Sequence, residues 1–71
     1  MTAEELLRRY AAGERDFSGI TIQYANLILA DLRGINLSNA NMTGVKMIAA
    51  RLWGANLSGT RIIEADLTSA D

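Results

Sequence analysis

The chain of 71 residues contains no cysteine, no histidine and no proline. Without cysteine there is no disulfide framework and no thiolate metal site. Without histidine the commonest metal ligand and the commonest general base are both missing. No carboxylate pair is clustered and no glycine-rich phosphate loop follows a strand, so no cofactor or metal is expected and an enzyme is the weakest reading. An excess of one charge is lacking too: seven basic against eight acidic side chains leave a net charge of −1, and no global field selects nucleic acid or an anionic membrane. The first fifteen residues carry six charges and no continuous apolar core, unlike a signal peptide, and no apolar run approaches the length that spans a bilayer. The default expectation is a soluble, cytoplasmic protein with room for one small domain.

What is present is a single pattern, repeated. Counting forward in fives from Phe17 lands on Ile22, Leu27, Leu32, Leu37, Met42, Met47, Leu52, Leu57, Ile62 and Leu67, eleven large apolar residues in succession. Two residues before each of these, the series Arg15, Ile20, Ala25, Ala30, Ile35, Ala40, Val45, Ala50, Ala55, Thr60, Ala65 is mostly small and apolar. A period of five is neither 3.6 nor 2, so it fits neither an amphipathic helix nor a plain strand. Two inward and three outward positions per repeat imply a short extended piece and a corner. Five of the six glycines (Gly19, Gly34, Gly44, Gly54, Gly59) occupy one slot, two residues after the large apolar position, with Asn39 in the same slot. Gly and Asn tolerate the positive φ that tight corners need.

The residues before the repeats read as a helix over Thr2–Gly13. Thr2 and Glu5 have the spacing of a capping box. Ala3, Leu6, Leu7, Tyr10 and Ala11 form one apolar stripe. Glu4–Arg8 and Glu5–Arg9 are i,i+4 pairs in the favourable order, and Gly13 stands where a helix end takes a left-handed residue. So short a helix is marginal alone, and the exposed first turn of the repeat array is the surface it would cover. A peptide-binding or membrane-surface helix is the alternative, although its polar face mixes Glu and Arg evenly.

The position before the large apolar residue is Asp or Asn in seven of eleven repeats. With Ala25-Asn26-Leu27, Ala30-Asp31-Leu32, Ala40-Asn41-Met42, Ala55-Asn56-Leu57 and Ala65-Asp66-Leu67, the chain resembles the pentapeptide repeat proteins, whose pattern is A(D/N)LXX. The leader from Glu5 to Phe17 is similar to the capping helix of small cyanobacterial members. The resemblance implies an all-β solenoid, a right-handed quadrilateral β-helix of just under three coils, with residues 1–14 as an N-terminal α-helical cap and residues 15–71 as the repeats. Ile20, Ile35 and Val45 are larger than the usual Ala, and Thr60 puts a hydroxyl inside that requires a backbone partner.

Four repeats per coil would stack residues twenty apart. The first face then aligns Ser18, Ser38 and Ser58 beside Asp16, Asn36 and Asn56, a flat polar array that ice-binding solenoids also use, though those favour Thr. The fourth face aligns Asp31, Arg51 and Asp71, alternating in sign. Ile28, Leu29, Ile48 and Trp53 fall at outward positions on adjoining faces with Arg33, Lys46 and Arg51 around them. This is a candidate protein-contact surface, since Trp and Arg dominate binding hot spots; the competing reading is that Trp53 lies flat and shields the coil.

The functional expectation is therefore a non-catalytic module, rigid and binding an unidentified protein partner, with a peripheral role on a membrane complex also open. Some members of the family mimic duplex DNA and bind topoisomerases such as DNA gyrase, which is the alternative. Just under three coils reach about 14 Å at strand spacing, and duplex DNA of that length carries roughly eight negative charges. From Asp16 to Asp71 there are five acids against four bases, so the charge is missing and no nucleic acid partner is expected. Finally, Ala70-Asp71 begin a repeat without its central residue. Either the repeats continue in a longer protein, or two copies meet end to end as a homodimer through the layer of Thr60, Ile62 and Leu67; the dimer is the expectation.

Overall fold

The computed structural model describes residues 1–68 and Ala70. Its one helix, α1 (Ala3–Ala11), is fixed at both ends by local bonds. Thr2 Oγ1 accepts from the Glu5 N–H (3.1 Å), which is half of the expected capping box. At the other end Gly13, at φ 104°, donates to Tyr10 O (2.9 Å), and Glu14 N–H returns to Arg9 O (3.0 Å). That pair of bonds is a Schellman closure. It also redirects the charges. Arg9 pairs with Glu14 rather than Glu5, because the left-handed turn at Gly13 folds Glu14 back onto the last turn of the helix.

From Asp16 onward the backbone is a stack of coils with a twenty-residue period. Parallel bridges join Asp16 to Asn36 and Asn36 to Asn56, Thr21 to Asn41 and Asn41 to Arg61, Asn26 to Lys46 and Lys46 to Asp66, and Asp31 to Arg51. Every bridge is a single residue pair, and no continuous strand forms among the described residues. The corners explain this departure from a regular sheet. Every fifth residue from Gly19 to Glu64 has a positive φ, between 55° and 73°, so each face is too short for a strand. In most repeats the turn is closed by an N–H three residues on, as in Ile35 to Leu32 O (3.1 Å). Only the third residue of each turn is left-handed, the signature of a type II turn.

The Asp or Asn of each repeat has a physical task that the periodicity alone does not reveal. In all seven repeats that carry one, Oδ1 accepts from the backbone N–H two residues on: Ser18 to Asp16 (3.1 Å), Ile28 to Asn26 (3.1 Å), Arg33 to Asp31 (3.3 Å), and likewise at Asn36, Asn41, Asn56 and Asp66. This Asx turn satisfies an outward N–H that no neighbouring coil can reach. The hydroxyls of Ser18 and Ser38 point to the same Oδ1 atoms (2.7 Å each), so the polar array on the first face is bonded within itself.

The interior holds the large apolar residues. Phe17, Ile22, Leu27, Leu32, Leu37, Met42 and Met47 are buried, with Ile35, Ala40, Val45 and Ala50 between them. Thr60 meets its requirement by donating to Leu37 O (2.8 Å). Leu52, Leu57 and Leu67 in the last coil are partly open, whereas α1 covers the first. Leu6 is the buried key of that cover, flanked by Met1, Ala3 and Tyr10; Leu7 and Ala11 stay at the exposed edge of the stripe. The Tyr10 hydroxyl donates to Arg33 O (2.6 Å) and the Met1 ammonium to Thr21 O (3.0 Å), which ties the helix to two faces of the first coil. The Arg15 guanidinium lies 3.7 Å from the Tyr10 ring centroid and Arg9 lies 5.1 Å from that of Phe17, two cation–π contacts at the seam.

Candidate functional site

The third corner is where apolar side chains leave the core. Ile28 and Ile48 stack on the outside of the third face, joined by the Leu29 N–H to Ile48 O bond (2.9 Å). The corner itself is Leu29 above Ala49, at φ 64° and 57°. A left-handed Leu is unfavourable, since its Cβ crowds the following carbonyl, and the stacked coils hold it there. Leu29 is 73% exposed and Ile28 40% exposed, and Ile48 is half-buried.

Trp53 stands one face further on, directly below Arg33, through the Gly34 N–H to Trp53 O bond (2.8 Å). It is 75% exposed. A tryptophan lying flat over the coil as a shield would be largely covered, and this one is not. The Asp31–Arg51 column lies between Leu29 and Trp53, so the apolar strip and the indole flank a charged stripe. Arg33 is held in that stripe: its guanidinium makes two bonds to Asp31, Nε to Oδ1 (2.8 Å) and a terminal nitrogen to Oδ2 (2.7 Å). The Arg33 bond holds the Asp31 carboxyl below its ordinary range, with Arg51 as a weaker aid, and the same pairing raises Arg33. The expected column holds between Asp31 and Arg51, which are bridged, while the Asp31 side chain bonds within its own rung to Arg33; Asp71 lies outside the described residues. Arg51 is exposed. Lys46 is set apart, on the far side of the third face between Asn26 and Asp66.

The layer of Thr60, Ile62 and Leu67 is half-buried, with the Thr60 hydroxyl turned inward to Leu37 O. Sequence reasoning passed over Tyr24 and Ile63, which are 73% and 52% exposed on the second face. Tyr24 occupies the corner slot that five of the eleven repeats give to Gly, and that slot is the signal that marks it as outward. It borders a shallow cleft beneath the start of α1, lined also by Thr2, Glu4 and Gln23. Among the described residues no three Asp, Glu, His or Cys side chains converge on a point that would hold a metal ion.

The twenty-residue coil, with Asx turns on its faces and left-handed corners, is the geometry that the five-residue period builds. The family model described as pentapeptide repeats (8 copies) matches residues 16–54 and 40–71. The chain belongs to the pentapeptide repeat family. Members of that family form right-handed quadrilateral β-helices, and are generally structural or interaction proteins. Two solved pentapeptide repeat proteins of cyanobacteria resemble this one. The first, from Nostoc Pcc 7120, is 28% identical with a TM-score of 0.57, over 97% of this chain and 74% of its own. The second, from Cyanothece 51142, is 33% identical with a TM-score of 0.50, over 79% of this chain and 40% of its own. No curated protein matches the chain. No helix among the described residues is long and apolar enough to cross a membrane.

Proposed function

We propose that this pentapeptide repeat protein is a rigid, non-catalytic docking block that presents its third corner and fourth face to another protein. The observation that carries the reading is Trp53 at 75% exposure beside Leu29 at 73%, both on backbone pinned by bonds between coils. Large apolar side chains held out by a stiff frame lose little conformational freedom on binding, which is how anchors reach high affinity. Arg51 supplies an exposed cation between the two anchors, and Arg33 is preset by Asp31. The near balance of charge and the short stack weigh against the DNA-mimic alternative, because neutralised repeats do not reproduce a phosphate backbone.

The test is a photo-crosslinking residue placed at Trp53 and, separately, at Ser18 on the first face, opposite the third. A partner joined from position 53 and not from 18 supports the surface. Once purified, that partner should bind the Ile48→Ser, Trp53→Ser variant about thirtyfold or more weakly, as a hot spot of ~2 kcal/mol implies, with circular dichroism unchanged. Equal crosslinking from both positions would overturn the assignment.

A further inference from the structure

Three arginines line the fourth face and its edge with the first, and two of them are held by bonds of their own. The Arg15 guanidinium lies on the Tyr10 ring, and one of its terminal nitrogens donates to Tyr10 O (2.8 Å) and Glu14 O (2.9 Å). The Tyr10 hydroxyl in turn donates to Arg33 O (2.6 Å). Arg33 is fixed on Asp31 through Nε and one terminal nitrogen. Directly below that pair stand Arg51 and Trp53, joined to the upper coil by Leu32 N–H to Arg51 O (2.9 Å) and Gly34 N–H to Trp53 O (2.8 Å). All three arginines are exposed. Each described carboxylate beside them is already engaged: Glu14 with Arg9, Asp31 with Arg33, and Asp16 with the Ser18 hydroxyl and N–H. Neither Arg15 nor Arg51 pairs with a carboxylate among the described residues.

We infer that this surface takes an acidic segment of a partner protein, with carboxylates on either side of an apolar residue that seats against Trp53 and Leu29. The inference rests on the docking reading above and names the chemistry of what docks. A guanidinium is a planar fork that matches a carboxylate. Forks already fixed, by Tyr10 at Arg15 and by Asp31 at Arg33, lose little freedom on binding. Asp31 is thus a positioning residue, which orients Arg33 and leaves Arg15 and Arg51 to meet the incoming charge. A basic segment would set like charges together, which costs it affinity and sets the specificity of the face. The nearly balanced charge of the whole chain offers little to a continuous phosphate backbone.

The experiment titrates the full chain with three capped peptides, Leu-Phe flanked on each side by a pair of Glu, of Gln or of Lys. Binding is followed at the Trp53 indole N–H by NMR. The Glu peptide should bind about tenfold more tightly than the Gln peptide, and the Lys peptide most weakly. That gap should close when the salt concentration is raised about tenfold. In the Arg33→Gln, Arg51→Gln variant it should narrow to about twofold, and Arg51→Gln alone should narrow it part of the way. Equal binding of the Glu and Gln peptides overturns the inference, as does tightest binding of the Lys peptide or a gap unchanged by salt or in both variants. Each of these leaves the docking reading standing, because the apolar pair still moves the indole signal. An indole signal that none of the three peptides moves overturns the inference and the docking reading together.

Discussion

The ring of Tyr24 lies against Gly44, one coil away, and both residues are left-handed, at φ 55° and 72°. A Cβ on Gly44 would overlap Cδ1 and Cε1 of that ring. Gly34 has the same backbone, at φ 73°, with only open space around its missing Cβ. Gly34→Ala should therefore cost the left-handed strain alone, roughly 1–2 kcal/mol, and Gly44→Ala should cost more because Tyr24 must also move. In a Tyr24→Ala background the two costs should converge, as a double-mutant cycle on thermal melts will show.

The converse change is expected at Ala49, which adopts φ 57° without being glycine. Ala49→Gly removes the strain at the expense of a more flexible unfolded chain. The net expectation is stabilisation by about 0.5–1 kcal/mol. A lower denaturant midpoint would show that the coil, and not the corner residue, sets that geometry without strain.

How much of this was legible beforehand depends on what each residue signals. The five-residue period and the small-residue register gave the core directly, because Leu37 and Ala40 are buried for reasons of size and polarity. The left-handed corners were legible at Gly19 and Asn39 but not at Tyr24, Leu29 or Glu64, where tertiary stacking overrides the intrinsic backbone preference. The stacking of Arg51 on Asp31 was legible in the register, whereas the rotamer that brings Arg33 back to its own rung was not. The contact surface was legible only as an outward set. That Trp53 stands free required coordinates.

Leu37 and Ser38 are adjacent in sequence and opposite in environment. Leu37→Ala should cost about 2–5 kcal/mol, since the side chain is fully buried between coils. Ser38→Ala loses one hydroxyl bond to Asn36 and should cost about 0.5–1.5 kcal/mol. Comparable midpoints for the two would mean that the five-residue register is misassigned.

Acid should weaken the stack. The Ser18 hydroxyl and then its N–H lower the Asp16 carboxyl below its ordinary 3.8, and Thr68 does the same to Asp66. The folded value lies below the unfolded one, so this stability is present above the unfolded value of ~4 and is lost as pH falls through the folded value. Asn can accept the same bonds, as Asn36 does from Ser38. The Asp16→Asn, Asp66→Asn variant should therefore keep its neutral-pH melting temperature and lose less on acidification; an unchanged acid slope would place the titrating groups elsewhere.

Trp53 is the chain's single tryptophan, so its fluorescence reports the proposed contact surface without ambiguity. The emission maximum of the folded protein, titrated with the partner captured from position 53, is the most direct test of the docking account. The account predicts water-like emission that barely changes on denaturation, a shift to the blue as partner is added, and a midpoint moved more than tenfold by Ile48→Ser. A blue emission in the free folded chain, or a titration with no shift, would contradict it.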